Sequence, residues 1–209
     1  MNRPITFRES NNQSFGYSGE FKKMIHERPG LIELFQSLTN KLVNVGDEVS
    51  EGDVAIRLFD IRGLTIPGKD LKKTPYFKVN IGDKSFFVKS CPGIKELKDT
   101  IKAKDNLANV IGVKVVDAHY GFSDKNGTGY FVSEWVDLPT LEAAHKRIPE
   151  AQFKQIEARV EAVKTILGPA YFDTRIGNAF YDEKNDQIVL FDLNESQSLL
   201  SLPNSEKER

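Results

Sequence analysis

The sequence predicts an α+β protein in which antiparallel strands come first and the main helices follow. Three observations carry this. Between residues 54 and 136, short β-branched and aromatic runs alternate with turn residues, and Gly82-Asp83 separates two of them as a two-residue hairpin turn. Residues 150–167, EAQFKQIEARVEAVKTIL, place Phe153, Ile156, Val160, Val163 and Leu167 at the 3.6-residue period of a helix. Farther on, a polar turn (DEKNDQ) joins Ala179–Tyr181 to the run Ile188–Phe191, which reads as a second hairpin.

Composition narrows the function classes. At 209 residues the chain is sized for one compact domain or a small two-lobed one, and 39% hydrophobic residues with 14 Phe supply an aromatic core. A net charge of -1 gives no electrostatic case for nucleic acid or an anionic membrane. The single Cys91 excludes an internal disulfide and a Cys-based zinc site, and fits a reducing compartment. His26, His119 and His145 lie too far apart in sequence to suggest a zinc cluster. No run reaches the ~18 apolar residues of a membrane span, and MNRPITFRES lacks the apolar core of a signal peptide. A cytoplasmic setting is the expectation, with export by a specialised bacterial system into a host cytosol as the other one.

Taken in order, residues 1–16 are polar and peripheral. Ser18 caps a helix over 19–28, and Pro29 opens the first turn of a second, amphipathic over 30–43 through Leu31, Leu34, Phe35, Leu38 and Leu42. The pair either packs on the rest of the domain or offers a partner-binding face. NVGDEVSEGD (44–53) reads as a solvated connector, without the ligand spacing of an EF-hand. Val54–Ile66 is a strand with a break near Arg62-Gly63, followed by the loop PGKDLKKTP and by strands Tyr76–Ile81 and Lys84–Ser90. Cys91-Pro92-Gly93 breaks the last strand before a helix from 93 to about 106. Val110–Val116 and Tyr130–Val136 read as a hairpin around FSDKNGTG, which completes a five-stranded sheet. Thr140–Arg147 is a short helix, and Gly168-Pro169 stops the long one over 150–167.

The chemistry concentrates in Tyr171–Ser196. Asp173 and Asn178 sit in the loop DTRIGN, and Asp192 follows the hairpin. A hairpin holds its ends together, so the three converge. Two carboxylates and an amide oxygen are hard ligands that suit Mg²⁺ with phosphate oxygens completing its shell. The alternative is a surface hairpin with solvated polar turns.

This stretch resembles the catalytic core of the protein-kinase-like superfamily. Asp173 and Asn178 keep the D-x-x-x-x-N spacing of its catalytic loop, and Asp192 stands where the metal Asp of D-F-G does. Two positions depart: Tyr171-Phe172 replaces His-Arg, and Asp192-Leu193-Asn194 replaces D-F-G. The resemblance extends upstream. Phe87-Val88-Lys89 occupies the place of the strand Lys that meets the α- and β-phosphates, with an ordinary strand-end Lys as the alternative. Glu96 then stands as the helix Glu that pairs with it, with Asp99 as the fallback. SEWVDLP resembles the hinge, with Ser133 as gatekeeper and the backbone of Glu134 and Val136 at the adenine edge, at the end of an edge strand. No G-x-G-x-x-G is recognisable: Pro67–Pro75 holds Gly68, with Lys69, Lys72 and Lys73.

What the resemblance implies is a minimal two-lobed kinase-like fold. It has an N-terminal polar segment and helix pair (1–53), an N-lobe with a five-stranded antiparallel sheet (54–136), and a reduced helical C-lobe (137–209). Only 17 residues follow Asp192 (209 − 192), too few for a peptide-substrate platform, and the N-terminal helices are a candidate substitute. The implied activity is ATP- and Mg²⁺-dependent phosphoryl transfer to an unknown acceptor, a small molecule or one specific protein. Asp173 accepts the acceptor's proton, Asn178 and Asp192 hold Mg²⁺, Lys89 aimed by Glu96 steadies the phosphates, and Arg175 offsets γ-phosphate charge. The competing expectation is a pseudokinase, a binding module that uses the fold to hold a protein partner.

Overall fold

A computed structural model of the chain describes residues 14–15, 19–64, 72–91, 93–124, 126–168 and 176–193. The fold is α+β with a mostly antiparallel sheet, and the chain divides into two compact units: residues up to Leu97 with Asp117–Val136, and Lys98–Val116 with the remainder from Asp137. Among the described residues no helix is long and apolar enough to cross a membrane.

The first unit is built on a sheet of seven strands rather than five. These are β1 (Ser14–Phe15), β2 (Glu48–Glu51), β3 (Val54–Leu64), β4 (Lys72–Ile81), β5 (Lys84–Ser90), β7 (Ala118–Ser123) and β8 (Gly129–Glu134). Their order is β1-β7-β8-β5-β4-β3-β2, antiparallel throughout. The turn at Gly82-Asp83 forms as the sequence predicts, with Gly82 at φ +59°. The break expected near Arg62-Gly63 lies earlier. The register slips between Leu58 and Asp60, which makes Phe59 the extra residue of a β-bulge. A strand also forms where a connector is expected, because β2 is an edge strand with three of its four residues exposed. Such edges carry charge rather than apolar alternation.

The expected hairpin between Val110–Val116 and Tyr130–Val136 does not form. β8 pairs instead with β7, whose AHYGFS carries a small residue and a histidine among its apolar ones. Asp124 closes that turn by accepting from the N–H groups of Asn126 and Thr128, each at 2.8 Å.

Strand alternation gives this sheet two distinct faces. One carries Ile56, Leu58, Phe77, Val79, Phe86, Val88, Tyr120, Phe122, Tyr130 and Val132, all buried together with residues of two helices. These are α1 (Glu20–Glu27) and α2 (Leu31–Thr39), shorter than the 19–28 and 30–43 expected. Pro29 lies in the turn before α2, whose N-cap is Gly30 at φ +97°, so it is not a first-turn residue. The helix pair therefore packs on this sheet. Phe35 anchors it: its ring sits edge-on to Phe77, Phe122 and Tyr130, with centroids 5.8, 5.9 and 5.3 Å away. Phe35→Ala removes all three contacts from a site 3% exposed. Its expected cost is about 3–5 kcal/mol, read as a fall in the urea midpoint.

The second unit packs α4 (Leu141–His145) and α5 (Glu150–Leu167) against a three-stranded sheet of order β6-β10-β9, with β6 (Val113–Val115), β9 (Ala179–Asp182) and β10 (Gln187–Leu190). The residues expected on the inner stripe of α5, Phe153, Ile156, Val160, Val163 and Leu167, are all buried. Thr140 caps α4 by accepting from the N–H of Ala143. β6 is the apolar run misassigned to the first sheet. It runs parallel to β10, with Val113 opposite Ile188 and Val115 opposite Leu190.

Between β5 and β6 lies α3 (Gly93–Leu107), whose residues to Leu97 count with the first unit and the rest with the second. After the strands of the first sheet and α3, the described elements run short helix, long helix and hairpin, as expected, with β2 and β6 as the strands that depart from the expected order.

Candidate functional site

Two groups of the expected residues come together, one in each unit. In the first, Lys89 lies on β5 two residues after Phe87, so both side chains leave the face opposite α1 and α2. Its Nζ is 2.5 Å from Oε1 of Glu96, and the two side chains are 5% and 2% exposed. This is a fully desolvated ion pair, in contrast to surface pairs such as Lys23 with Glu27. Asp99, the fallback, is also buried on α3.

The seven-residue connection from Lys89 to Glu96 is possible because glycines let backbones touch. A Cβ on Gly93 would collide with the carbonyl of Tyr130, and one on Gly129 with that of Cys91. Cys91 N–H donates to Gly129 C=O at 2.9 Å. With no side chain at these points, α3 starts directly against β8. Glu96 then lies one turn into the helix, back over the end of β5.

In the second unit, Asn178 ends a 3₁₀ turn (Ile176–Asn178) that leads into β9, and Asp192 follows β10 by two residues. Ala179 pairs with Leu190, and one step beyond, Phe191 N–H donates to Asn178 C=O at 3.1 Å. Asn178 and Asp192 therefore lie at the same end of the hairpin. Asn178 is 2% exposed, whereas Asp192 takes the left-handed φ of +56°. That conformation is uncommon for a residue with a side chain, and Asp tolerates it better than most. It lets Leu193 turn back into the core, where it is 2% exposed.

A network that the sequence motifs do not include fixes this hairpin to α5. Tyr181, fully buried, donates its hydroxyl to Asp186 Oδ1 at 2.8 Å and accepts from Gln152 Nε2 at 2.9 Å. Arg159 donates to the Asp186 carbonyl at 2.9 Å and to its carboxylate at 2.6 Å. The signal was present in sequence: Gln152 and Arg159 are seven residues apart, two turns along one helix face. Burial pushes the Tyr181 phenol above its ordinary value. The bonds from Arg159 and then Tyr181 hold the Asp186 carboxyl below its ordinary value. A depressed carboxyl contributes stability that is present above its unfolded value, near 3.9, and lost as pH falls through the folded one. In urea titrations, Asp186→Asn is therefore expected to lower the midpoint at pH 7 and to converge on the parent chain as the pH falls through the depressed carboxyl's own titration.

Among the described residues, no group of three or more His, Cys, Asp or Glu side chains could hold a metal. The donor set at the hairpin end, one carboxylate and one amide oxygen, suits a hard cation that takes its remaining ligands from phosphate and water. Asn178 and Asp192 are the residues that would hold it.

The other expected residues are placed as follows. Ser133, 3% exposed, donates its hydroxyl to the carbonyl of Glu134 at 3.2 Å. Glu134 lies in β8, which runs between β5 and β7 and is not an edge strand, so that expectation is corrected. Its N–H donates to Asp117 C=O at 2.9 Å, and its Oε1 accepts from Asp117 N–H at 2.8 Å. Val136 lies two residues past the end of β8. Asp173 and Arg175 lie outside the described residues, as do Ser18, Gly68 and Lys69.

No family model matches the chain, and no curated protein does. Among solved structures the chain is similar to protein kinases at low identity. The kinase PK-1 of Cydia pomonella granulovirus is 15% identical, over 78% of this chain and 55% of that one, at a TM-score of 0.42. The BubR1 kinase domain is 12% identical, over 80% and 61%, at 0.44. Rad53 1–466 in complex with AMP-PNP is 15% identical, over 73% and 48%, at 0.39. The chain thus spans between about half and three-fifths of the kinases it is similar to.

Proposed function

We propose that the protein is a minimal phosphotransferase that binds Mg-ATP and passes its γ-phosphoryl group to an acceptor hydroxyl. The observation that carries this reading is the buried pair Lys89–Glu96 at 2.5 Å. Desolvating two opposite charges contributes little net stability, since apolar residues of similar volume do as well or better. A paired cation fixed on a rigid strand is what a phosphate site needs. The carboxylate holds the ammonium in one orientation, and the ammonium supplies fixed positive charge to phosphate oxygens.

In this reading Asn178 and Asp192 hold Mg²⁺, which neutralises charge on the bridging phosphate oxygens. The left-handed backbone at Asp192 supports a functional position, because such strain clusters at ligand sites. Asp173 accepts the acceptor's proton, Arg175 offsets charge on the γ-phosphate, and the backbone of Glu134 and Val136 meets the base. Phosphoryl transfer asks for positioning and charge neutralisation more than covalent chemistry. The acceptor is either a small molecule or one specific protein.

A second reading, a binding module that holds a protein partner, is favoured by the absence of G-x-G-x-x-G in Pro67–Pro75 and by Asn194 in place of the D-F-G glycine. A transfer assay with γ-labelled ATP and Mg²⁺ separates the two. The enzyme reading expects label on the protein itself or on a supplied acceptor, and its loss in Asp192→Asn. Asn suits that test because it removes the charge while tolerating the left-handed backbone. Mg-ATP binding with no transfer to any acceptor assigns the chain to the second reading.

A further inference from the structure

The face of the first sheet that carries Lys89 is unusually aromatic. Phe87 stacks on Tyr76 of β4, ring centroids 5.6 Å apart and planes 26° from parallel. Lys78 is directly opposite Phe87 across β4 and β5, so its side chain leaves the same face. Its Nζ sits 4.6 Å above the ring of Trp135, the only Trp in the chain. Trp135 in turn meets Phe59 edge-on, centroids 5.4 Å apart at 86°. Phe59 is the β-bulge residue and is 50% exposed, a large aromatic left in solvent where the opposite face buries every one. Core packing does not account for it: neither Phe59 nor Trp135 belongs to the buried cluster beneath α1 and α2.

An exposed Phe59 against a half-buried Trp135, with Lys78 over the indole and Lys89 on the same face of the sheet, matches a ligand that is planar at one end and anionic at the other. We infer that Phe59 and Trp135, with Lys78 beside them, seat the base of the nucleotide whose phosphates meet Lys89. This seat reads the base more by stacking than through the edge contacts of the Glu134 and Val136 backbone. The inference rests on the nucleotide reading above and adds a specificity to it. Every base has a π-face, so stacking is tolerant of base identity. Ser133 and Glu134 spend part of their hydrogen-bonding capacity on each other, and Glu134 spends its N–H on Asp117, which leaves less for reading an edge. The protein therefore accepts ATP and GTP nearly alike.

Trp135 makes the test direct, because as the sole indole its emission reports on this seat alone. Titration of the full chain with Mg-ATP and Mg-GTP is expected to quench or shift that emission, with dissociation constants within about tenfold of each other. Mg-tripolyphosphate, which has no base, is expected to leave it unchanged. Phe59→Ala, at an exposed position, is expected to weaken both nucleotides about tenfold in calorimetry and to leave tripolyphosphate binding as it was. Mg-ATP binding in calorimetry with unchanged Trp135 emission and full affinity in Phe59→Ala would overturn the seat and leave the phosphotransferase reading standing. A preference for ATP over GTP of a hundredfold or more would overturn the stacking readout. Absence of any nucleotide binding would overturn both readings.

Discussion

Glu96→Ala is expected to cost about 3–5 kcal/mol, because it strands the Lys89 ammonium in a site 5% exposed. Much of that cost is desolvation without compensation, so Lys89→Ala should be destabilising by a similar route, through the carboxylate left behind. The double replacement Lys89→Met/Glu96→Leu removes both charges and fills the volume with apolar atoms. It is expected to lie near or above the parent chain in stability, since buried pairs replaced in this way are often neutral or stabilising by about 1–4 kcal/mol. Urea unfolding of the two single variants and the double one completes the comparison. If the singles change the unfolding free energy by less than about 0.5 kcal/mol, the pair is solvated rather than buried.

The second large effect belongs to a residue with no polar atom in its side chain. Gly93→Ala drives a Cβ into the carbonyl of Tyr130, a backbone atom in the middle of the sheet that has little room to yield. The first turn of α3 must lift away from β8, and Glu96 lifts with it. The expected loss combines an overpacking cost of about 1–3 kcal/mol with damage to the ion pair. Mg-ATP binding is expected to fall with stability, although Gly93 itself touches no phosphate in this account. A control is Gly127→Ala, where nothing lies within 4 Å of the added Cβ and only the backbone at φ +79° resists. It should cost about 1–2 kcal/mol and leave nucleotide binding intact.

How much of this was legible in the sequence differs from element to element, for physical reasons. Strand Lys84–Ser90 and helix Glu150–Leu167 were readable to the residue. The first begins at a two-residue turn with the required glycine, and the second carries five apolar residues at helical spacing between a proline and a glycine. β7 and β6 were exchanged because apolar content misleads when pairing is long-range. VIGVKVV looks more strand-like than AHYGFS, yet the latter is the neighbour of β8. Gly121 in β7 is required where its backbone meets the start of α3, and its Cβ would press on Gly93. That need is set by packing and invisible to alternation. β2 was hidden because an edge strand has little reason to be apolar.

Within the candidate site, Lys89 and Glu96 were named through the resemblance, and what the sequence did not show is that glycines make so short a connection between them possible. Asn178 and Asp192 could be named because a hairpin brings its ends together. The aromatic seat could not. Phe59 and Trp135 are 76 positions apart (135 − 59), and their meeting depends on strand order and on a one-residue bulge. Only Phe87 gave a hint, two residues before Lys89 and hence on its face.

In the phosphotransferase reading the buried pair exists for phosphate and not for stability. Calorimetric titration of Mg-ATP into the parent chain and into Lys89→Met/Glu96→Leu tests it most directly, since that variant is expected to stay folded. Measurable binding to the parent is expected, with a loss of at least a hundredfold, about 2.7 kcal/mol, in the double variant. Equal affinity in the two proteins would contradict it.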